Sequence, residues 1–145
     1  MSVAILSDEE VLLLAGIVHS VRNDIRVTFG QEAFPDFNDL TGDNGWMSDS
    51  AIAGIKAISE DPNWTPEVEH ERWYAEREKQ GWRHPSAMGD PVKYPLDKRN
   101  DELKLNPAMV HYSDLPAFEK LKDSSAIAVV RAYLSFRASR SAQKP

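Results

Sequence analysis

The side chains best suited to chemistry lie between Pro66 and Trp82, in the stretch P-E-V-E-H-E-R-W-Y-A-E-R-E-K-Q-G-W. Read as one helix, this stretch sets His70, Trp73, Tyr74 and Arg77 at i, i+3, i+4 and i+7, on a single stripe. A stripe built only to fill a core would be Leu, Ile and Val. An imidazole, two aromatic rings and a guanidinium can pack too, but they can also stack on a flat ring and hold an anion. Trp82, just past the helix end, adds a second indole. The plainer alternative makes Trp73 a core anchor, His70 a hydrogen-bonded structural histidine and Arg77 a snorkelling side chain. Residue types alone leave both open.

Other chemistries find less support. The four histidines, His19, His70, His84 and His111, form neither H-x3-H nor H-E-x-x-H, so no metal site is expected. There is no G-x-S-x-G, P-loop or G-x-G-x-x-G. Carboxylates abound, but in an acidic chain they are mostly solvated faces. No catalytic residue, cofactor or enzymatic activity is expected; a nucleotide-processing enzyme with His70 as general acid–base is the weakest reading. Basic residues among aromatics suggest nucleic acid, yet Glu67, Glu69, Glu71, Glu76 and Glu78 on the same helix would repel a polyanion. A compact ligand held on one face would not be repelled.

The chain has 145 residues, enough for one domain with its own core, and 41% are apolar and 28% charged, which fits a folded globular protein. It has no cysteine, which excludes disulfides and thiolate chemistry and suits a reducing cytoplasm. The apolar run from Val11 to Val18 is too short to span a bilayer. No basic region opens the chain, so a secretory signal is not expected. The net charge of −6 is uneven: residues 1–66 carry eleven acids against three bases, and residues 67–145 carry twelve against fourteen. That balance is too weakly basic for general duplex binding but compatible with a small anion in the second half.

The spacing predicts a mainly α fold of about five helices with one or two short β-strands. The first helix starts at the capping box Ser7/Glu10 and runs to about Phe29, with Gly30 as its stop and Leu13, Leu14, Ile17, Val21 and Ile25 as its apolar face. Residues 31–46 read as a loop tacked down by aromatics. A second helix follows Ser48, with Ala51, Ile52, Ile55 and Ile58 inward and Gly54 allowing close approach. The third is capped by Thr65, begins at Pro66 and stops at Gly81. Residues 83–107, with four prolines, read as a long irregular loop in which Val92–Tyr94 pairs with Leu103–Leu105. A fourth helix runs from Ser113–Pro116 to about Leu121. A fifth is capped by Asp123 or Ser124, with Ile127, Val130, Tyr133 and Leu134 inward, and residues 139–145 form a frayed tail.

His70-Glu71-x-Trp73, then Arg77, Gly81-Trp82, and later Asn106-Pro107-x-x-Val110-x-Tyr112-x-x-Leu115-Pro116 resemble the ryanodine-receptor repeat (RyR) domain. Upstream, Val18-His19 and Asp49-Ser50-Ala51-Ile52-Ala53-Gly54-Ile55 are similar to the stand-alone bacterial and phage form, so the resemblance covers residues 8–135. The departure lies after Trp82. His84 stands where the family usually has Tyr, and an insertion to about Lys104 replaces a short turn.

The resemblance implies a small helical fold and a non-enzymatic module for a nucleotide-derived molecule: an adenine nucleotide, an ADP-ribose-like compound or a cyclic nucleotide. Trp73 matches the family's stacking tryptophan. His70 and Arg77 would meet phosphate or ribose, while Tyr74, Trp82, Asn106 and Tyr112 would complete the pocket. Family members in tandem imply that a single copy works as a homodimer, with Trp73 of each subunit clamping the base. Such a protein would act as a sensor or, in a phage, sequester an immune signal. The alternative is a protein-interaction or structural module without a small-molecule ligand.

Overall fold

In a computed structural model, residues 5–42 and 45–142 are described. Four α-helices organise them: α1 (Asp8–Thr28), α2 (Gly45–Glu60), α3 (Pro66–Lys79) and α4 (Ala117–Ala142), with 3₁₀ turns at Phe37–Asp39, Pro85–Met88 and Tyr112–Asp114. The helix starts follow local chemistry. Ser7 and Glu10 form a full capping box on α1, and the Thr65 hydroxyl accepts the Val68 N–H ahead of Pro66. Gly30 and Gly81, at φ 82 and 93, take the left-handed conformation just beyond α1 and α3.

The core lies between α1, α2 and α4, where Val11, Leu14, Ala15 and Val18 pack on Ala51, Ile55, Ile58, Ala126, Ile127 and Val130. α3 lies against α2 and α4. Gly54 makes the α2–α3 approach possible: a Cβ there would stand 3.1 Å from both Arg72 Nη2 and Glu69 Oε2. Those two side chains form a bidentate pair, Nε–Oε1 at 2.8 Å and Nη2–Oε2 at 2.9 Å, with Glu69 fully buried.

The structure corrects four expectations. The fourth and fifth helices are one continuous α4. No Gly or Pro interrupts 117–142, and Ser124 and Ser125 bond back to the Leu121 and Lys122 carbonyls instead of capping. Helix α4 also continues through Ala142 rather than fraying after Ala138; Gln143–Pro145 lie outside the described residues. No strand forms among the described residues: Val92–Tyr94 is a turn, and only isolated bridges link Leu105 to Arg83 and Asn100. Prolines at 91 and 95 remove the donors a ladder would need. Finally, α1 buries Val11, Leu14, Ala15, Val18 and Ile25 while Leu13 and Ile17 are exposed. Its apolar residues wrap more than one face, so the stripe facing α2 and α4 is shifted from the one predicted.

The excursion from Arg83 to Asn106 is irregular but anchored. The Arg83 N–H donates to the Lys104 carbonyl and the Asn106 N–H to the Arg83 carbonyl, both at 2.9 Å, and Leu105 is buried. Lys104 Nζ donates to the Gln80 carbonyl, satisfying an acceptor at the end of α3. No described helix is long and apolar enough to cross a membrane.

Candidate functional site: an aromatic ledge and an arginine–indole cluster

The α3 stripe forms, but its two ends enter different surroundings. At the first end His70 is buried. Its Nε2–H donates to the Val110 carbonyl at 2.7 Å, and Nδ1 faces Asp123 Oδ2 at 3.8 Å. A carbonyl can only accept, so the proton sits on Nε2 and both ring nitrogens are turned to protein groups. The acceptor is delivered by a local device: Asn106 Oδ1 accepts the Ala108 N–H at 2.9 Å and shapes the turn leading to Val110, with Met109 buried beneath.

Three aromatic rings surround the imidazole. Trp73 stacks on it at 5.4 Å and 23°, while Tyr74 and Tyr112 meet it at 6.3 and 6.2 Å. All three are half-buried, each with a rigid inner side and accessible surface outside. Burial, with Glu67 and Asp123 nearby, pushes the Tyr112 hydroxyl up, so it stays protonated and can donate. Asp123, at the bottom, is pushed up to about 7 by burial, with Glu69 and Glu119 adding to the effect and Arg22 and Lys122 opposing it.

At the second end Arg77 is 1% exposed. The helix stop places it: the Trp82 N–H donates to the Arg77 carbonyl and the Gly81 N–H to the Glu78 carbonyl, a Schellman turn that folds Trp82 back beside Arg77. Trp82 is buried and lies 5.7 Å from Trp46 at the start of α2. The Arg77 guanidinium sits 4.4 Å over Trp46, and Arg99 lies 5.7 Å from Trp46, 5.1 Å from Trp82 and 4.7 Å from Phe34. Arg26 covers Phe34 at 3.9 Å. Cations and rings thus alternate from α1 to α3, a cation–π arrangement. Glu76 accepts from Arg77 Nη2 at 2.6 Å, but Arg77 Nε and Nη1 and Arg99 Nη2 are buried with no acceptor among the described residues. Burial pulls Arg77 down, and burial with Arg22 beside it pushes Arg26 to about 10.

Of the residues singled out in the sequence, His70, Trp73, Tyr74 and Tyr112 come together, with Asn106 supporting them. Arg77 and Trp82 come together at the far end of α3. Trp46, Arg99 and Asp123 are site residues that the sequence did not mark as such. Asp123 looked like a helix cap, and Arg99 sits in irregular chain with no periodicity to mark it. Among the described residues no three His, Asp or Glu side chains converge as metal ligands. Comparison of the chain with protein-family models, with curated proteins and with solved structures finds no match in any of the three.

Proposed function

We propose that this protein is a non-enzymatic binding module for a nucleotide-derived small molecule, whose base stacks on Trp73. The observation that carries the reading is the Trp73–His70 stack: a half-buried indole backed by a buried imidazole that is itself held by Val110. A ring immobilised before binding loses little entropy on contact, which is what a stacking platform requires. Stacking on an aromatic side chain is worth roughly 1–3 kcal/mol per base. Tyr74 and Tyr112 flank the base, and the Tyr112 hydroxyl is available as a polar contact. His70 positions Trp73 rather than touching ligand, because it is buried, with Nε2 bonded to Val110 and Nδ1 turned toward Asp123. The RyR-like pattern supports the same reading, since its two parts, H-E-x-W and N-P-x-x-V-x-Y, meet at His70. A homodimer would pair two Trp73 rings around one ligand, suiting a sensor or a sequestering protein.

The test is a thermal-shift and tryptophan-fluorescence screen with ATP, ADP-ribose and cyclic dinucleotides. Binding is expected for at least one, with the ligand recovered unaltered; chemical conversion would make the protein an enzyme instead. One observation favours the alternative, a protein-interaction module: Leu12, Leu13 and Ile17 are exposed on α1. Silence across the whole nucleotide panel would leave that alternative standing.

A further inference from the structure

We propose a second ligand site, built by the excursion between Lys93 and Leu105, that binds a phosphoryl group of a small phosphorylated compound. A cleft of about 60 Å³ opens there, lined by Lys93, Tyr94, Pro95, Lys98, Arg99, Asn100 and Leu105. On the same measure a single water needs about 10–15 Å³, so the cleft has room for one tetrahedral oxyanion. Three of the lining residues are cations and none is a carboxylate.

Arg99 joins the cleft to the arginine–indole cluster. Its guanidinium is boxed in by Phe34, Trp46 and Trp82, and its Nε is held by Asp101. Of its two terminal nitrogens, Nη2 is buried with no acceptor among the described residues. A guanidinium donor buried without an acceptor is unfavourable, and the same Arg99 side chain lines the cleft, where an oxyanion is the natural counter-group. Lys93 and Lys98 are exposed and make no ion pair among the described residues, which leaves both ammonium groups able to close over a bound anion. The loop geometry is fixed from below: the Asn100 and Leu105 backbones exchange two 2.8 Å hydrogen bonds, and Leu105 is buried. The floor of the cleft is therefore held in place before any ligand arrives, and the two lysines close over it.

The size of the cleft and the charge of the chain favour a small ligand. The room suffices for a single phosphoryl group, and a net charge of −6 opposes a polyanion tracking across the surface. The site does not rest on the Trp73 reading; it uses different residues and a different chemistry.

The experiment titrates the full chain with inorganic pyrophosphate at fixed ionic strength, following melting temperature and tryptophan fluorescence, since Arg99 lies over Trp46 and Trp82. Parallel titrations use AMP, ATP and single-stranded oligonucleotides of several lengths. Pyrophosphate is expected to stabilise the wild type and to change its fluorescence. The Lys93→Gln/Lys98→Gln pair, which removes exposed charge without touching the core, should weaken binding at least tenfold. Arg99→Lys, which keeps the charge but loses the fork, should do the same. Trp73→Ala should bind pyrophosphate like the wild type. No response to pyrophosphate beyond that to chloride, equal binding by the Lys93→Gln/Lys98→Gln variant, or binding that tightens with oligonucleotide length would each overturn the site. Pyrophosphate binding without binding of any nucleotide would sink the Trp73 reading and leave this one intact; nucleotide binding without any response to pyrophosphate would do the reverse.

Discussion

The imidazole of His70 and the indole of Trp73 stack at 5.4 Å and 23°, one turn apart on α3, with the imidazole inside and the indole at the surface. The imidazole is the fixed partner, because Val110 accepts its Nε2–H across forty residues of chain. His70→Phe keeps a ring under Trp73 but leaves the Val110 carbonyl without its donor. The expected loss is about 1–3 kcal/mol of stability, read by urea unfolding. Unchanged stability would mean that the 106–112 turn is held by other contacts.

Gly54 sets the spacing of α2 and α3. Alanine in a helix interior is usually favourable over glycine by about 1 kcal/mol. Here the new Cβ would press at 3.1 Å on both members of the buried Glu69–Arg72 pair. Neither can swing away, because Trp64 Nε1–H also donates to Glu69 and Glu76 also accepts from Arg72. Gly54→Ala should therefore lower stability by roughly 1 kcal/mol despite its better propensity. A stabilised variant would show that the pair shifts freely.

Arg77 is buried with Glu76 as its ion-pair partner and Trp46 beneath it. Arg77→Ala removes both contacts and opens space over the indole. A loss of about 2–4 kcal/mol is expected. Arg77→Lys should recover only part, since an ammonium cannot lie flat on the ring. Differential scanning calorimetry of both variants checks the order.

Asp123 gives the molecule a pH dependence with a definite sign. Its folded-state pKa of about 7 lies above the ordinary 3.8, so between these values the folded state holds the extra proton. Its contribution to stability grows as pH falls through 7 and is lost as pH rises. The groups facing it are His70, Arg22, Glu69, Glu119, Lys122 and Tyr112. Two other groups act in the opposite sense. Burial lowers His19, so its contribution is lost as pH falls below 6.5, and Glu10, held at about 2 chiefly by the Ser7 N–H and also by Tyr133, loses its contribution below 4.5. The difference between wild type and Asp123→Asn isolates the aspartate. At pH 8.5 the variant should be the more stable by roughly 1–3 kcal/mol, and the advantage should shrink as pH falls below 7 and vanish only below the ordinary 3.8. A constant difference across that range would contradict the assignment.

What could be read from the chain was what local chemistry decides. Ser7/Glu10, Thr65-Pro66 and Gly81 mark helix ends because caps act over three or four residues, and Gly54 announced a close approach that the structure contains. The burial face of α1 was harder, because Leu12, Leu13, Leu14 and Ile17 offer apolar surface on adjoining faces and only packing against α2 and α4 selects one. Asp123 and Ser124 have the residue types of a cap, yet the helix runs through them because nothing there stops it. The stripe on α3 was legible as a stripe. Its division into a His70 end and an Arg77 end was not, since Trp46 and Arg99 arrive from distant, non-periodic chain.

The most direct test of the central claim is fluorescence titration of wild type and Trp73→Ala with the nucleotide panel, alongside circular dichroism of both. The account predicts that at least one nucleotide-derived compound changes wild-type fluorescence saturably. It also predicts that Trp73→Ala keeps its helical spectrum and binds that compound at least tenfold more weakly, since about 1.4 kcal/mol of lost stacking corresponds to a factor of ten. A folded Trp73→Ala that binds as the wild type does, or a wild type that binds none of them, would contradict it.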